Sequence, residues 1–301
     1  MNRIIVTPAG RKKYLEILYQ YLLKAFQKNE FKEWHLWMNT KNEVDNLYMN
    51  ELAKNNEWIK LIYWCEEKYY PKAIDAELWK NIHKFYSIDS TDPSAVYLEL
   101  DDDIVYIEDG AINNIFEFRI SNPQYFLVYG NIINNSVHGH LHQRLGIVDY
   151  SKGINQFNCF CNIGWKSGEY VKLVHNTFLA NVEVKELDKY KFPRWELWNI
   201  ERVSINVVSW LGLDFAKFSG LVLQDEELDL SINIPKRFNK INCINGQAVF
   251  SHYAYFTQRD YLDQTEILND YKKLSGANKP TLIMEKFGFN KNIKADNEYE
   301  L

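Results

Sequence analysis

The stretch from Ala95 to Ile107, AVYLELDDDIVYI, reads as two hydrophobic strands separated by three consecutive carboxylates, Asp101, Asp102 and Asp103. Aspartate is depleted in strands and adjacent like charges repel, so the triplet calls for a solvated turn or a counter-cation. What precedes it decides the fold. RIIVT (3–7) is a short apolar strand and PAG (8–10) a turn, after which Leu15, Leu18, Leu22 and Phe26 recur at helical spacing from Lys12 to Lys28. EWHLWMN (33–39) reads as a second strand, and Thr40 with Glu43 predicts a capping box for a helix carrying Val44, Leu47 and Leu52. EWIKLIYW (57–64) is a third strand; Ile74, Leu78, Ile82 and Phe85 fit a helix after Pro71; AVYLEL (95–100) is the fourth strand. This βαβαβαβ order predicts an α/β protein with a parallel sheet, right-handed crossovers and helices on both faces. Such sheets bind ligands at the carboxyl ends of their strands, where the triplet falls.

The second half is less regular. Helical spacing returns in DGAINNIFEFRI (109–120) and strand character in YFLVYGNII (125–133), followed by a loop-rich stretch with Gly139, Gly146, Gly153, Gly164 and Gly168. From Phe192 the chain reads as a turn and helix, a buried segment VSINVVSWLGL (203–213), an acidic cluster QDEELD (224–229) and short strands around AVFSHYAYF (248–256). A last helix carries Tyr261, Leu262, Ile267, Leu268 and Tyr271. The expected organisation is one compact domain in two halves, 1–108 ending in the triplet and 109–289, with a polar tail over 290–301.

Hydrophobic residues make up 46% of the 301 and charged residues 25%, the balance of a globular chain with a sizeable core. Aromatics reach 15%, and most of these rings are expected to fill the core, the rest being suited to a sugar or base site. A net charge of −5 with no long Lys/Arg run lacks the electrostatic footprint of a nucleic-acid binder. Cys65, Cys159, Cys161 and Cys243 form neither a CxxC pair nor a regular framework, which points to buried thiols in a reducing compartment. No segment offers about 18 uninterrupted apolar residues, so the reading is cytoplasmic, with peripheral membrane contact left open.

Several common devices are missing: no GxGxxG follows the first strand, and there is no GxxxxGK[ST], HExxH or GxSxG. The triplet itself suits a hard divalent cation, Mg²⁺ or Mn²⁺, of the kind shared with substrate phosphates. A solvated acidic turn is the competing account.

The ordered set TPAGR (7–11), WHLWMNT (34–40), LDDDIV (100–105), HLHQRLG (140–146), VSINVVSW (203–210), DEE (225–227) and HYAYFTQR (252–259) resembles the GT-A-fold glycosyltransferases with their DxD motif. More narrowly it resembles a group of uncharacterised bacterial and viral glycosyltransferases, and Val203 stands where that group has Phe. The resemblance implies a GT-A α/β fold with a nucleotide-binding half and a smaller acceptor-side half. It also implies metal-dependent transfer of a sugar from a nucleotide-diphosphate sugar to a hydroxyl acceptor, in glycan or polysaccharide synthesis. By this resemblance Thr7, Ala9 and Arg11 contact base, ribose or phosphate, although Arg11 also fits a solvated first helical turn. Asn39 joins the donor site at the end of the second strand. Asp103 ligates Mn²⁺ or Mg²⁺, Asp101 serves the metal or the ribose, Asp102 lies with them in the donor site, and His252 completes the metal set.

An inverting transfer needs a general base, and Asp225 and Glu226 are the candidates, against a plain solvated charge run. His138, His140 and His142 would share one face of an extended segment. His140 and His142 are read as acceptor or phosphate contacts, with a structural hydrogen-bonding role as the alternative. Asn206 is read with them as an acceptor or phosphate contact, and inside an apolar segment it needs a polar partner. Two other functions stay open: a sugar-nucleotide pyrophosphorylase or nucleotidyltransferase, which calls for a Gly-rich basic phosphate loop, and a non-catalytic carbohydrate-binding protein.

Overall fold

A computed structural model describes residues 1–38, 40, 42–63, 80–89, 92–198, 201–218, 222 and 225–277. Asn39, Cys65, the helix expected around Ile74 and Leu78, and the tail 290–301 lie outside the described residues.

The first half alternates as its hydrophobic periodicity requires: β1 (Asn2–Ala9), α1 (Lys12–Gln27), β2 (Glu33–Met38), α2 (Glu43–Asn55), β3 (Ile59–Ile62), α3 (Lys80–Lys84) and β4 (Ala95–Leu100). β5 (Ile104–Ile107) follows the Asp triplet directly, and α4 (Ala111–Ser121) and β6 (Tyr125–Ile133) come next. The remainder is α5 (Ser136–Arg144), α6 (Gly168–Glu183), β7 (Trp195–Glu196), β8 (Val207–Leu211), α7 (Gly212–Lys217), α8 (Glu226–Leu228), α9 (Ile234–Arg237), β9 (Ile241–His252), α10 (Phe256–Leu262) and α11 (Ile267–Ser275).

One sheet runs through the molecule in the order β3-β2-β1-β4-β8-β6-β9-β5, with β7 added on β9. β1 to β4 are mutually parallel, β8 runs against both β4 and β6, and β9 is parallel to β6. The fold is therefore α/β with a mostly parallel central sheet. Period-2 alternation on β4 sends Val96, Leu98 and Leu100 into a core with Leu15 and Leu18 of α1 and Ile115 and Phe116 of α4. Tyr97 faces the other side, where it stacks on Trp210 at a ring separation of 5.3 Å. Glu99 shares the Tyr97 face by the same alternation.

Four local expectations are corrected. The cap of α2 is Asn42, whose side chain accepts from the N–H groups of Val44 and Asp45, while Thr40 accepts from the Asn42 N–H. An Asx side chain at that position competes better for the first-turn donors than the threonine two residues earlier. The glycine-rich stretch contains two helices, α5 and α6, capped by Asn135 and Ser167. A Cβ at Gly139 would meet the Asn155 amide at 2.4 Å, so that glycine permits close packing and marks no loop. The short strands expected around residue 250 are one 12-residue strand, β9, and the last helix is two, α10 and α11.

Candidate active site

Leu100 ends β4, and the chain turns at once: the Ile104 N–H donates to the Asp101 carbonyl at 3.2 Å. Neighbouring strands pin this turn. The Asp101 N–H donates to the Asn206 carbonyl at 3.0 Å, and the Tyr253 N–H donates to the Asp103 carbonyl at 2.9 Å. The carboxyl end of β4 is thus stitched to the start of β8 and the end of β9. Asp102 and Asp103 are buried and Asp101 half-buried, which removes the account of the triplet as a solvated turn.

The three carboxylates face different partners. Asp102 accepts from the Gly10 N–H and from Arg11 Nε, both at 2.9 Å, and from a terminal nitrogen of the same guanidinium. Asp103 lies 3.2 Å from Arg11, 3.3 Å from Arg259 and 3.5 Å from Nε2 of His252. Burial by itself would raise the Asp103 pKa, but Arg11, His252 and Arg259 outweigh it and hold the group below the usual carboxylate range. Asp101 accepts from Nδ2 of Asn206 at 2.9 Å, and burial beside Asp103 drives its pKa well above the usual range.

His252 sits 3.0 Å from the Asn134 carbonyl through Nδ1, so that nitrogen carries the proton and Nε2 presents a lone pair toward Asp103. Burial lowers its pKa against the opposing pull of the Asp103 carboxylate. A carbonyl fixing the tautomer of a histidine whose other nitrogen faces carboxylates is the arrangement of metal-ligating histidines. One ligand atom each from Asp101, Asp103 and His252 lie within 4.8 Å of one another. Two carboxylate oxygens and one imidazole nitrogen suit Mn²⁺ and, less well, Mg²⁺. The donor set therefore fits the cation that the sequence points to.

The structure brings Arg11, Asp101, Asp102, Asp103, His252 and Asn206 together. Thr7 and Ala9 are buried in β1, with the Thr7 hydroxyl accepting from Trp34 Nε1 at 2.9 Å. In place of the crevice position expected for an acceptor contact, His142 is sealed inside α5, 1% exposed, with Nε2 2.8 Å from Asn131. Its helical backbone also replaces the extended face expected for His138, His140 and His142. His140 holds the Asn155 carbonyl at 2.8 Å and lines a groove of about 760 Å³ with Arg144, Phe157, Trp195, Trp198 and Glu201.

Asp225 accepts from the Leu228 N–H as the cap of α8 and pairs with Arg202 at 2.6 Å. Glu226 turns inward onto His83, and Glu227 contacts Arg202 and Cys159. Cys159 in turn touches Ser204, so the acidic turn adjoins the segment that leads into Asn206 and β8. Burial, reinforced by Glu227 and Asp225, pushes Glu226 up to about 8. Sequence reasoning had not singled out Arg259, Arg202, Asn134, Glu99 or His83. Arg259 alone carried a signal, as the last residue of the HYAYFTQR motif.

No protein-family model matches the sequence, and no curated protein does. Among solved structures the chain is similar to GalNAc-T7, crystallised with UDP, GalNAc and Mn²⁺, at 10% identity and a TM-score of 0.45 over 92% of this chain and 48% of that one. It is similar to 2-C-methyl-D-erythritol 4-phosphate cytidylyltransferase of Francisella tularensis at 15% identity and a TM-score of 0.39, covering 87% and 97%. A CMP:2-keto-3-deoxy-manno-octonic acid synthetase complexed with CTP matches at 10% identity and a TM-score of 0.39, covering 83% and 90%. Likenesses this weak carry no argument about activity.

Proposed function

We propose that this chain is a metal-dependent glycosyltransferase that moves a sugar from a nucleotide-diphosphate sugar to a hydroxyl acceptor. The observation that carries the reading is the Asp101–Asp103–His252 set flanked by Arg11 and Arg259. In this reading those three residues hold Mn²⁺ or Mg²⁺, which when bound supplies charge neutralisation for a departing diphosphate. Arg11 and Arg259 bind phosphate oxygens. Among the described residues the buried Arg259 Nε–H has no hydrogen-bond partner, a donor suited to an incoming anion. Asp102 holds Arg11 and the β1–α1 turn in place, Asn206 orients Asp101, and the Asn134 carbonyl fixes the His252 tautomer.

Asp225 is our assignment for the general base. Its carboxylate is 38% exposed, within reach of an acceptor hydroxyl, whereas Glu226 is at 18% and engaged by His83. The groove beside His140, with exposed Trp195 and Trp198, is our placement for a glycan acceptor, because indole faces stack on sugar rings.

The nucleotidyltransferase reading needs free backbone N–H groups after β1 to cradle a triphosphate. The Gly10 N–H is already given to Asp102, which favours glycosyl transfer. Incubation with UDP-, GDP-, CDP- and dTDP-sugars and Mn²⁺ tests the proposal. Release of nucleoside diphosphate that stops in Asp103→Asn supports it. Pyrophosphate release from a nucleoside triphosphate and a sugar phosphate would establish the rival chemistry instead.

A further inference from the structure

A second group of titratable side chains lies behind the first. His83 of α3 is fully buried, Glu99 of β4 is 2% exposed, and Glu226 opens α8. His83 Nε2 hydrogen-bonds Glu226, and one ligand atom from each of the three lies within 4.8 Å of the other two. Among the described residues His83 is the basic group that faces these carboxylates, and its ring packs against Trp210 and Phe215. Among the described residues no guanidinium or ammonium is seen against the two carboxyls, and in an apolar shell their ionised pair is strongly disfavoured unless a cation compensates.

An unsatisfied atom points the same way. Among the described residues, Glu99 Oε2 is buried with no hydrogen-bond partner, and so is His83 Nδ1. A buried carboxylate oxygen without a donor normally forfeits the full desolvation cost, and such a group in a native fold calls for an explanation. The explanation is not shared with the first site. Glu99 precedes Asp101 by two residues, but its other neighbours come from α3 and α8, elements that contribute nothing to the Asp103 cluster.

We infer that His83, Glu99 and Glu226 form a second, structural site for a divalent first-row transition-metal ion. A dication cancels two carboxylates against a neutral imidazole. The nitrogen donor selects against the all-oxygen preference of Ca²⁺ and Mg²⁺ and in favour of Zn²⁺, Co²⁺, Fe²⁺ or Mn²⁺. Such an ion ties β4, α3 and the start of α8 together, bracing the turn on which Asp225 sits. The inference stands apart from the proposed reaction, since none of its ligands holds the donor in that proposal.

Metal stoichiometry tests it. The full chain is stripped with EDTA, dialysed, titrated with Co²⁺ and followed by visible d–d absorption and elemental analysis. Asp103→Asn, which disables the first cluster, is expected to keep a single Co²⁺ ion per chain. Asp103→Asn/Glu99→Gln and Asp103→Asn/His83→Gln are each expected to lose it, with near-ultraviolet circular dichroism confirming that at least one of them is folded. An Asp103→Asn chain that binds no Co²⁺, or folded double variants that still bind it, would overturn the inference. If wild type binds one ion that is lost with Glu99 and kept without Asp103, this inference survives and the donor-site cation of the proposed function does not.

Discussion

Arg11 and Asp102, 91 residues apart, meet in a hydrogen-bonded ion pair that also takes the Gly10 N–H, so the first and fourth parallel strands are locked together at their carboxyl ends. Asp102 is buried and Arg11 about a third exposed. Asp102→Asn is expected to lower stability by about 2 kcal/mol, since removing one partner strands the other's charge, a cost moderated by the partial exposure of Arg11. Urea unfolding measures this. The same variant is expected to weaken nucleotide binding in the presence of Mn²⁺, because it frees Arg11 while leaving the three metal donors in place. Unchanged stability would mean that the pair does not organise the turn.

Arg259 makes the opposite kind of prediction. Its guanidinium lies 3.3 Å from Asp103, so Arg259→Ala removes positive charge from the metal donors and is expected to tighten Mn²⁺ binding in the absence of nucleotide. Binding of a nucleoside diphosphate is expected to weaken roughly ten- to a hundredfold, the value of one or two charged hydrogen bonds. Isothermal titration of each ligand separates the two effects. Parallel losses of metal and nucleotide would show that Arg259 only supports the fold.

His175 provides a pH test. Its ring is fully buried between the Tyr271 hydroxyl and the Tyr253 carbonyl, each at 2.8 Å, and burial pushes its pKa down to about 4. An unfolded chain binds this proton near pH 6.5, so between about pH 6.5 and 4 the unfolded state holds more protons and stability falls on acidification. The full effect is about 3 kcal/mol for the shift involved. In the metal-stripped chain Glu99 and Glu226, pushed up to about 8 chiefly by burial, titrate with the opposite sign, losing stability as pH rises from the ordinary carboxylate range toward 8. The difference between wild type and His175→Gln isolates the histidine. The variant is expected to be less stable at pH 7 and to overtake wild type near pH 4. A difference independent of pH would show that His175 is not held neutral.

Asn135 joins the cap of α5 to the site. Its Oδ1 accepts from the Val137 and His138 N–H groups, while Nδ2 donates to the Ser204 carbonyl and to Asn206, the residue that orients Asp101. Asn135→Ala is expected to cost about 2 kcal/mol, combining a lost cap with two stranded buried acceptors. It is also expected to lower Mn²⁺ affinity through Asn206. Urea unfolding and Mn²⁺ titration by electron paramagnetic resonance check the pair of effects, and a stability loss with unchanged Mn²⁺ affinity would confine Asn135 to capping.

The alternating half of the fold was legible because its strands are buried runs and α1 carries a clean apolar stripe. The glycine-rich middle was not. Gly139 and Gly168 are there for close approach, to Asn155 and Tyr261 respectively, and a side-chain-free position looks the same in sequence whether it turns the chain or packs it. Within the triplet, three identical residues carry no local signal of which faces Arg11 and which faces His252. That division is set by the ends of β8 and β9, 100 residues and more downstream. His83 and Glu99 escaped notice for the same reason, each being ordinary alone and unusual only beside the other.

The central claim is a cation held by Asp103 for a nucleotide diphosphate. Its most direct test is thermal stability of the purified protein against UDP, GDP, CDP and dTDP, each with Mn²⁺ or EDTA, beside Asp103→Asn. A ligand that binds the native state at a hundred times its Kd stabilises by about 2.7 kcal/mol, enough to read as a shift of several degrees. The account predicts such a shift for one nucleotide, requiring both Mn²⁺ and Asp103. A shift indifferent to metal, or no shift with any of the four, would contradict it.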